Sequence, residues 1–72
     1  MKVFDAKDFG STLKTRRKEL GYTQKYLSDF TGFSTSFISE LENGKPTIEL
    51  EKALRLANML GLDLLMEERG KK

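Results

Sequence analysis

Four glycines divide this chain into pieces too short for anything but small helices. Gly21, Gly32, Gly44 and Gly61 each close a segment whose apolar residues recur at helical spacing. That is where a helix end takes a residue tolerant of positive φ. The first three are soon followed by a hydroxyl able to cap the next helix, namely Thr23, Ser34 and Thr47, and Asp5 can cap the first segment. With Asp5 as N-cap, Phe4 and Phe9 take the two positions of a hydrophobic staple. Tyr22 with Leu27, and Phe33 with Ile38, repeat that spacing around Thr23 and Ser34. The pattern predicts four helices, near 6–20, 24–31, 35–42 and 48–60, joined by short loops.

Helical periodicity assigns the inward faces. Phe9, Leu13 and Leu20 come from the first helix, and Leu27 and Phe30 from the second. Ile38 and Leu41 come from the third, with Leu50, Leu54, Ala57 and Leu60 from the fourth. Pro46 falls in a loop, where its missing N–H is harmless. Gly10, inside the first helix, fits a close approach by another backbone. After Gly61 the pattern changes. Leu62, Leu64 and Met66 alternate with Asp63, Leu65 and Glu67, as in a strand with one apolar face, while Asp63 could also cap a short fifth helix. A strand here needs a partner for its backbone, most simply the same strand of a second subunit.

The expected fold class is therefore all-α, a compact four- to five-helix bundle with a short C-terminal strand as the alternative end. The whole chain, 1–72, reads as one domain with a core over 6–61 and a tail over 62–69. A chain of 72 residues buries only about 60% of the surface its unfolded form exposes, which leaves little room for a substrate pocket. It contains no cysteine and no histidine. Disulfides, thiolate chemistry, Cys/His zinc sites and histidine-dependent catalysis are thereby excluded. The reading is a binding module and not an enzyme, with no cofactor and no metal. Asp5 and Asp8 interrupt any signal-peptide pattern and no apolar run is long enough to span a bilayer, so a cytoplasmic location is expected. The net charge is +2, distributed unevenly: residues 1–20 carry six Lys/Arg against three acids, with Lys14, Arg16, Arg17 and Lys18 clustered. Such a patch is a footprint of nucleic-acid binding, and equally of a solvated helix face.

The second and third segments are short and joined through Gly32, which is the layout of a helix-turn-helix. Ser28 supplies the small residue where the two helices cross, and Leu27, Phe33, Ile38 and Leu41 supply the apolar lock. The run Thr23-Gln24, Leu27-Ser28, Gly32-Phe33-Ser34, Ile38-Ser39 and Leu41-Glu42-Asn43-Gly44-Lys45 closely resembles the Cro/phage-repressor-type (Xre) DNA-binding family, over roughly residues 8–61. Its members have the lambda-repressor-like bundle. Gly61–Arg69 resembles the tail of HipB-type antitoxins, whose final strand pairs across a dimer. Ser28 stands where the family usually has alanine, and Phe33 is bulkier than its usual valine.

The resemblance implies residue roles. Thr35, Ser36, Ser39 and Glu40 fall at base-reading positions, with Phe37 at their fringe. Gln24 matches a phosphate-contacting glutamine at a helix N-terminus, itself favourable to phosphate. Asn43, Gly44 and Lys45 match a second phosphate clamp acting through side chain and backbone, and read bottom-up Asn43-Gly44 is also an ordinary helix end. Arg17 and Glu42 match a structural ion pair, in keeping with the repulsion between a carboxylate and phosphate. Lys14, Arg16 and Lys18 are general electrostatic contacts to phosphate. Leu62, Leu64 and Met66 are the dimerising residues. The function implied is a dimeric, sequence-specific transcriptional regulator, a nucleoid-associated repressor on a pseudo-palindromic double-stranded operator. Its sharper form is an antitoxin that represses its own operon and binds a toxin protein. The alternative is a protein-interaction module on the same fold without specific DNA binding.

Overall fold

The structure is a computed structural model that describes residues 2–70; the ends of the expected 1–72 domain, residues 1, 71 and 72, lie outside the described residues. Four helices follow one another: α1 (Ala6–Glu19), α2 (Gln24–Thr31), α3 (Thr35–Glu42) and α4 (Leu50–Met59). Three of them start where the polar side chain of an extended residue caps the first turn. Asp5 accepts from the Asp8 N–H, Thr23 from that of Tyr26, and Ser34 from that of Phe37, at 2.8, 2.9 and 3.0 Å. Asp8 returns the favour by accepting the Phe4 N–H at 3.1 Å, a reciprocal cap at the chain entry. Phe4 itself is 76% exposed, so the aromatic staple expected there does not close. Tyr22 and Phe33, by contrast, pack against the core that holds Leu27 and Ile38.

The fourth helix starts later than its sequence pattern indicates, and Thr47 does not cap it. Ile48 donates its N–H to the Lys45 carbonyl at 3.3 Å. This closes a tight turn with Pro46 in the second position that proline favours, and Thr47 is used up inside it. Glu49 becomes the N-cap, without a side-chain hydrogen bond.

The buried core is Leu13, Leu27, Ile38, Leu41, Ala53, Leu56, Ala57 and Leu60. Three expectations need correction. Phe30 is 55% exposed, because the inner face of α2 is taken by Gln24, Leu27, Ser28 and Thr31. The three polar members have fixed partners there: Ser28 Oγ donates to the Phe33 carbonyl at 2.6 Å, Thr31 Oγ1 to that of Leu27 at 2.7 Å, and Gln24 to Glu42. Leu50 is 69% exposed, standing in the first residue of α4. Leu54 is only half-buried; Ala53 and Leu56 hold the centre of that face instead.

Gly10 does lie under another backbone. A Cβ at that position would overlap the Leu41 carbonyl oxygen and stand 3.0 Å from the Glu42 carbonyl carbon. α1 and α3 thus touch backbone to backbone. Beyond Gly61 the chain forms no strand and no fifth helix among the described residues. The Leu62 N–H donates to the Ala57 carbonyl at 3.0 Å and ends α4. Leu62 is half-buried, Leu64 and Leu65 are exposed, and Met66 is fully exposed. A single protomer offers the tail backbone no ladder to join.

Candidate nucleic-acid interface

The third helix is amphipathic in a way that leaves one face without a role in the core. Ile38, Leu41 and Glu42 point inward and are buried. Thr35, Ser36 and Glu40 are exposed on the other side, with Ser39 half-buried beside them. Gln24, at the first position of α2, joins these four residues to line one shallow, open groove. The turn fixes this juxtaposition. Gly32 ends α2 with φ +84°, its N–H donating to the Ser28 carbonyl, and Ser28 Oγ anchors the next residue. The serine that replaces alanine thereby becomes a clamp on the turn. Phe33 is accommodated against Phe37, with ring centroids 5.1 Å apart. The Lys52 ammonium sits 6.0 Å from the Phe37 ring.

Behind the groove lies a buried ion pair. Arg17 Nε donates to Glu42 Oε2 at 2.6 Å and its Nη2 to Oε1 at 3.0 Å, while Nη1 donates to the Tyr22 carbonyl at 2.8 Å. Both side chains are almost wholly buried. The hydrogen bond to Glu42 holds the Arg17 guanidinium above its ordinary range; burial opposes this, and the charge of Glu42 adds to it. Gln24 Nε2 also donates to Glu42 Oε1, at 3.0 Å. The sequence does not disclose this link. It orients the amide from behind and leaves the second N–H of Nε2 for another acceptor.

The end of α3 corrects one expectation. Gly44 donates its N–H to the Leu41 carbonyl at 3.1 Å, and Lys45 donates to that of Glu40 at 3.0 Å. These two bonds form a Schellman end. The Asn43 N–H is also taken, by the Ser39 carbonyl. The backbone amides of 43–45 are therefore consumed inside the cap and are not presented outward. What faces solvent is the Asn43 amide, 3.5 Å from Ser39 Oγ, and the Lys45 ammonium, 3.4 Å from Glu40 Oε1.

The basic cluster on α1 divides. Lys14 and Lys18 are exposed. Arg16 is directed elsewhere: its Nε donates to the Leu60 carbonyl at 2.8 Å, and Nη1 lies 3.7 Å from Glu19. It caps the far end of α4, a favourable place for a cation. The residues expected to dimerise, Leu62, Leu64 and Met66, lie away from the groove. Leu62 and Leu64 line a separate depression with Val3, Phe4 and Phe9, which charged residues of the tail also border. Among the described residues no group of His, Cys, Asp or Glu is arranged to hold a metal, and no helix is long and apolar enough to cross a membrane.

A bundle that buries its ion pair and exposes a polar recognition face beside a tight Gly32 turn is a helix-turn-helix domain. Residues 13–65 match the family model described as helix-turn-helix, and the chain belongs to that family. The ImmF control region 10 kDa protein of Bacillus phage phi105 is 31% identical over 62 residues, covering 86% of this chain and 69% of that protein. An HTH-type transcriptional regulator of Sinorhizobium fredii is 35% identical over 57 residues, covering 79% of this chain and 75% of its own. Among solved structures, HipB in complex with an O4 20mer superposes with a TM-score of 0.85 over 96% of this chain and 97% of that one, at 22% identity. A HipB–O2 20mer complex superposes equally well, with a TM-score of 0.86. At that identity the likeness is one of fold.

Proposed function

We propose that this chain is a sequence-specific DNA-binding transcriptional regulator, acting as a homodimeric repressor that controls its own operon as the antitoxin of a toxin–antitoxin pair. One observation carries the DNA reading: Gln24 and the outer face of α3 line a single groove. A recognition helix in the major groove needs base-reading side chains and a phosphate contact in that relation. Thr35, Ser36, Ser39 and Glu40 then read base edges. Gln24 holds a phosphate with its free amide N–H, and Asn43 and Lys45 hold another through their side chains. Arg17 and Glu42 serve as scaffold behind them. The fold shared with the HipB–20mer complexes and the relatives named as transcriptional regulators support this reading. The apolar tail supports the dimer.

Selection from a random double-stranded DNA library tests it. The expected result is an enriched pseudo-palindrome with half-sites one helical turn, about 34 Å, apart. Failure to enrich any sequence rejects specific DNA binding and leaves a protein-interaction module on this fold.

A further inference from the structure

Three lysines that the base-reading face does not use share one side of α1. Lys7, Lys14 and Lys18 lie seven and four residues apart, so all three project from the same side of the helix. All three are exposed, and none is in an ion pair among the described residues. The cations between residues 21 and 60 are matched: Lys25 with Asp29 at 3.5 Å, Lys45 with Glu40 at 3.4 Å, Lys52 with Glu49 at 3.0 Å and Arg55 with Glu51 at 3.7 Å. The helix itself does not account for the stripe. Its dipole favours a cation near the C-terminus, which suits Lys18, but disfavours one in the first turn, where Lys7 stands. Lys14 and Lys18, four apart, repel each other.

The packing places this stripe next to the recognition helix. A Cβ on Gly44 would stand 2.7 Å from the Lys7 Cα, so Lys7 borders the Asn43–Lys45 end of α3. Gly10 and Arg17, on the adjoining face of α1, touch α3. Arg16, on the opposite flank, binds the end of α4. The lysine side of α1 is thus turned away from α4 and borders the end of α3 that carries the phosphate-binding side chains.

We infer that Lys7, Lys14 and Lys18 form a continuous cationic rail that follows the phosphodiester backbone of the bound duplex beyond the bases α3 reads. This rests on the DNA-binding reading above. Lys7 takes the place in this contact expected of Arg16, which binds the Leu60 carbonyl instead. A row of three unpaired ammonium groups suits phosphates spaced along one strand and carries no sequence information.

The test is fluorescence anisotropy with the full chain, a selected operator duplex and a random duplex, across a salt series. Removing one phosphate contact lowers the slope of log affinity against log salt by about one unit, and affinity by about eightfold at 0.1 M salt. Lys7→Ala, Lys14→Ala and Lys18→Ala are each expected to do this equally on both duplexes, and Lys7→Arg to restore the slope. Lys25→Ala, on α2, is expected to leave it unchanged. Unchanged slopes in the three variants, with Lys45→Ala still lowering its own, overturn the rail and leave the DNA reading standing. A wild-type chain that binds neither duplex overturns both.

Discussion

Gly10 on α1 meets the Leu41 carbonyl oxygen of α3 so closely that no Cβ fits between them. The contact sets the separation of the two helices, and with it the reach of Arg17 to Glu42, seven residues further along α1. Its neighbours are backbone, which cannot swing aside as a side chain can.

Gly10→Ala therefore tests the packing by the sign of its effect. Alanine is favoured over glycine inside a helix by about 1 kcal/mol, so in open space the change would stabilise. Overpacking against a rigid backbone costs roughly 1–3 kcal/mol or more. The melting temperature is expected to fall, by about 4–8 °C for each net kcal/mol in a domain of this size. A melting temperature that rises in a calorimetric scan would remove the close approach from the account.

Arg17 and Glu42 are expected to stabilise the domain and not to read DNA. Removing one partner leaves a buried charge without its counter-ion, at a cost of about 3–5 kcal/mol, whereas replacing both by apolar residues of similar volume is close to neutral. Arg17→Met and Glu42→Leu should each melt well below wild type, with the double variant near it. The guanidinium, held above its already high range, stays charged at every working pH, so the contribution of Arg17's raised range is lost as pH rises into the extreme alkaline range. Single variants that melt like wild type yet bind DNA poorly would reassign both residues to the interface.

On α3, Thr35→Ala, Ser36→Ala and Glu40→Ala should each alter preference at defined operator positions by about 1–3 kcal/mol. Glu40 can accept from cytosine N4, and the hydroxyls can pair with several base edges. Gln24→Ala and Lys45→Ala should weaken all sequences alike. Competition binding with single-base operator variants checks this. Equal losses on operator and random duplexes for all three α3 variants would reject the base-reading role.

Local signals carried the helix-turn-helix because its turns and caps are local chemistry. Asp5, Thr23 and Ser34 cap as their positions indicate, and Gly32 closes α2. Where packing partners decided, the sequence pattern failed. Phe30 looks like core until Gln24, Ser28 and Thr31 are seen to occupy the inner face of α2 through their hydrogen bonds. Leu50 and Leu54 outrank Ala53 in hydrophobicity, but Ala53 is the one whose place on α4 faces the core. Arg16 belongs by sequence to a basic cluster, and only the position of the Leu60 carbonyl shows that it caps another helix. The capping of α3 was legible while its consequence was not: the amides that end the helix cannot also bind a phosphate.

The tail carries the last prediction. In one protomer Leu64 and Leu65 are exposed and Met66 is fully exposed, and the two leucines border a depression lined also by Val3 and Phe4. If residues 62–66 pair antiparallel with their copy in a second subunit, the backbone gains a ladder and these side chains gain cover. Leu64→Pro removes one ladder donor. Met66→Asp is the cleaner variant, because a side chain with no contacts in the protomer cannot unfold it by changing. Both variants should keep the wild-type helical spectrum and scatter light as monomers. Operator affinity should drop by roughly 10²–10⁴-fold as the second recognition helix ceases to be held near the first. Binding to a single half-site should hardly move. A Met66→Asp protein that stays dimeric and binds the full operator with unchanged affinity would place the subunit contact elsewhere on the bundle.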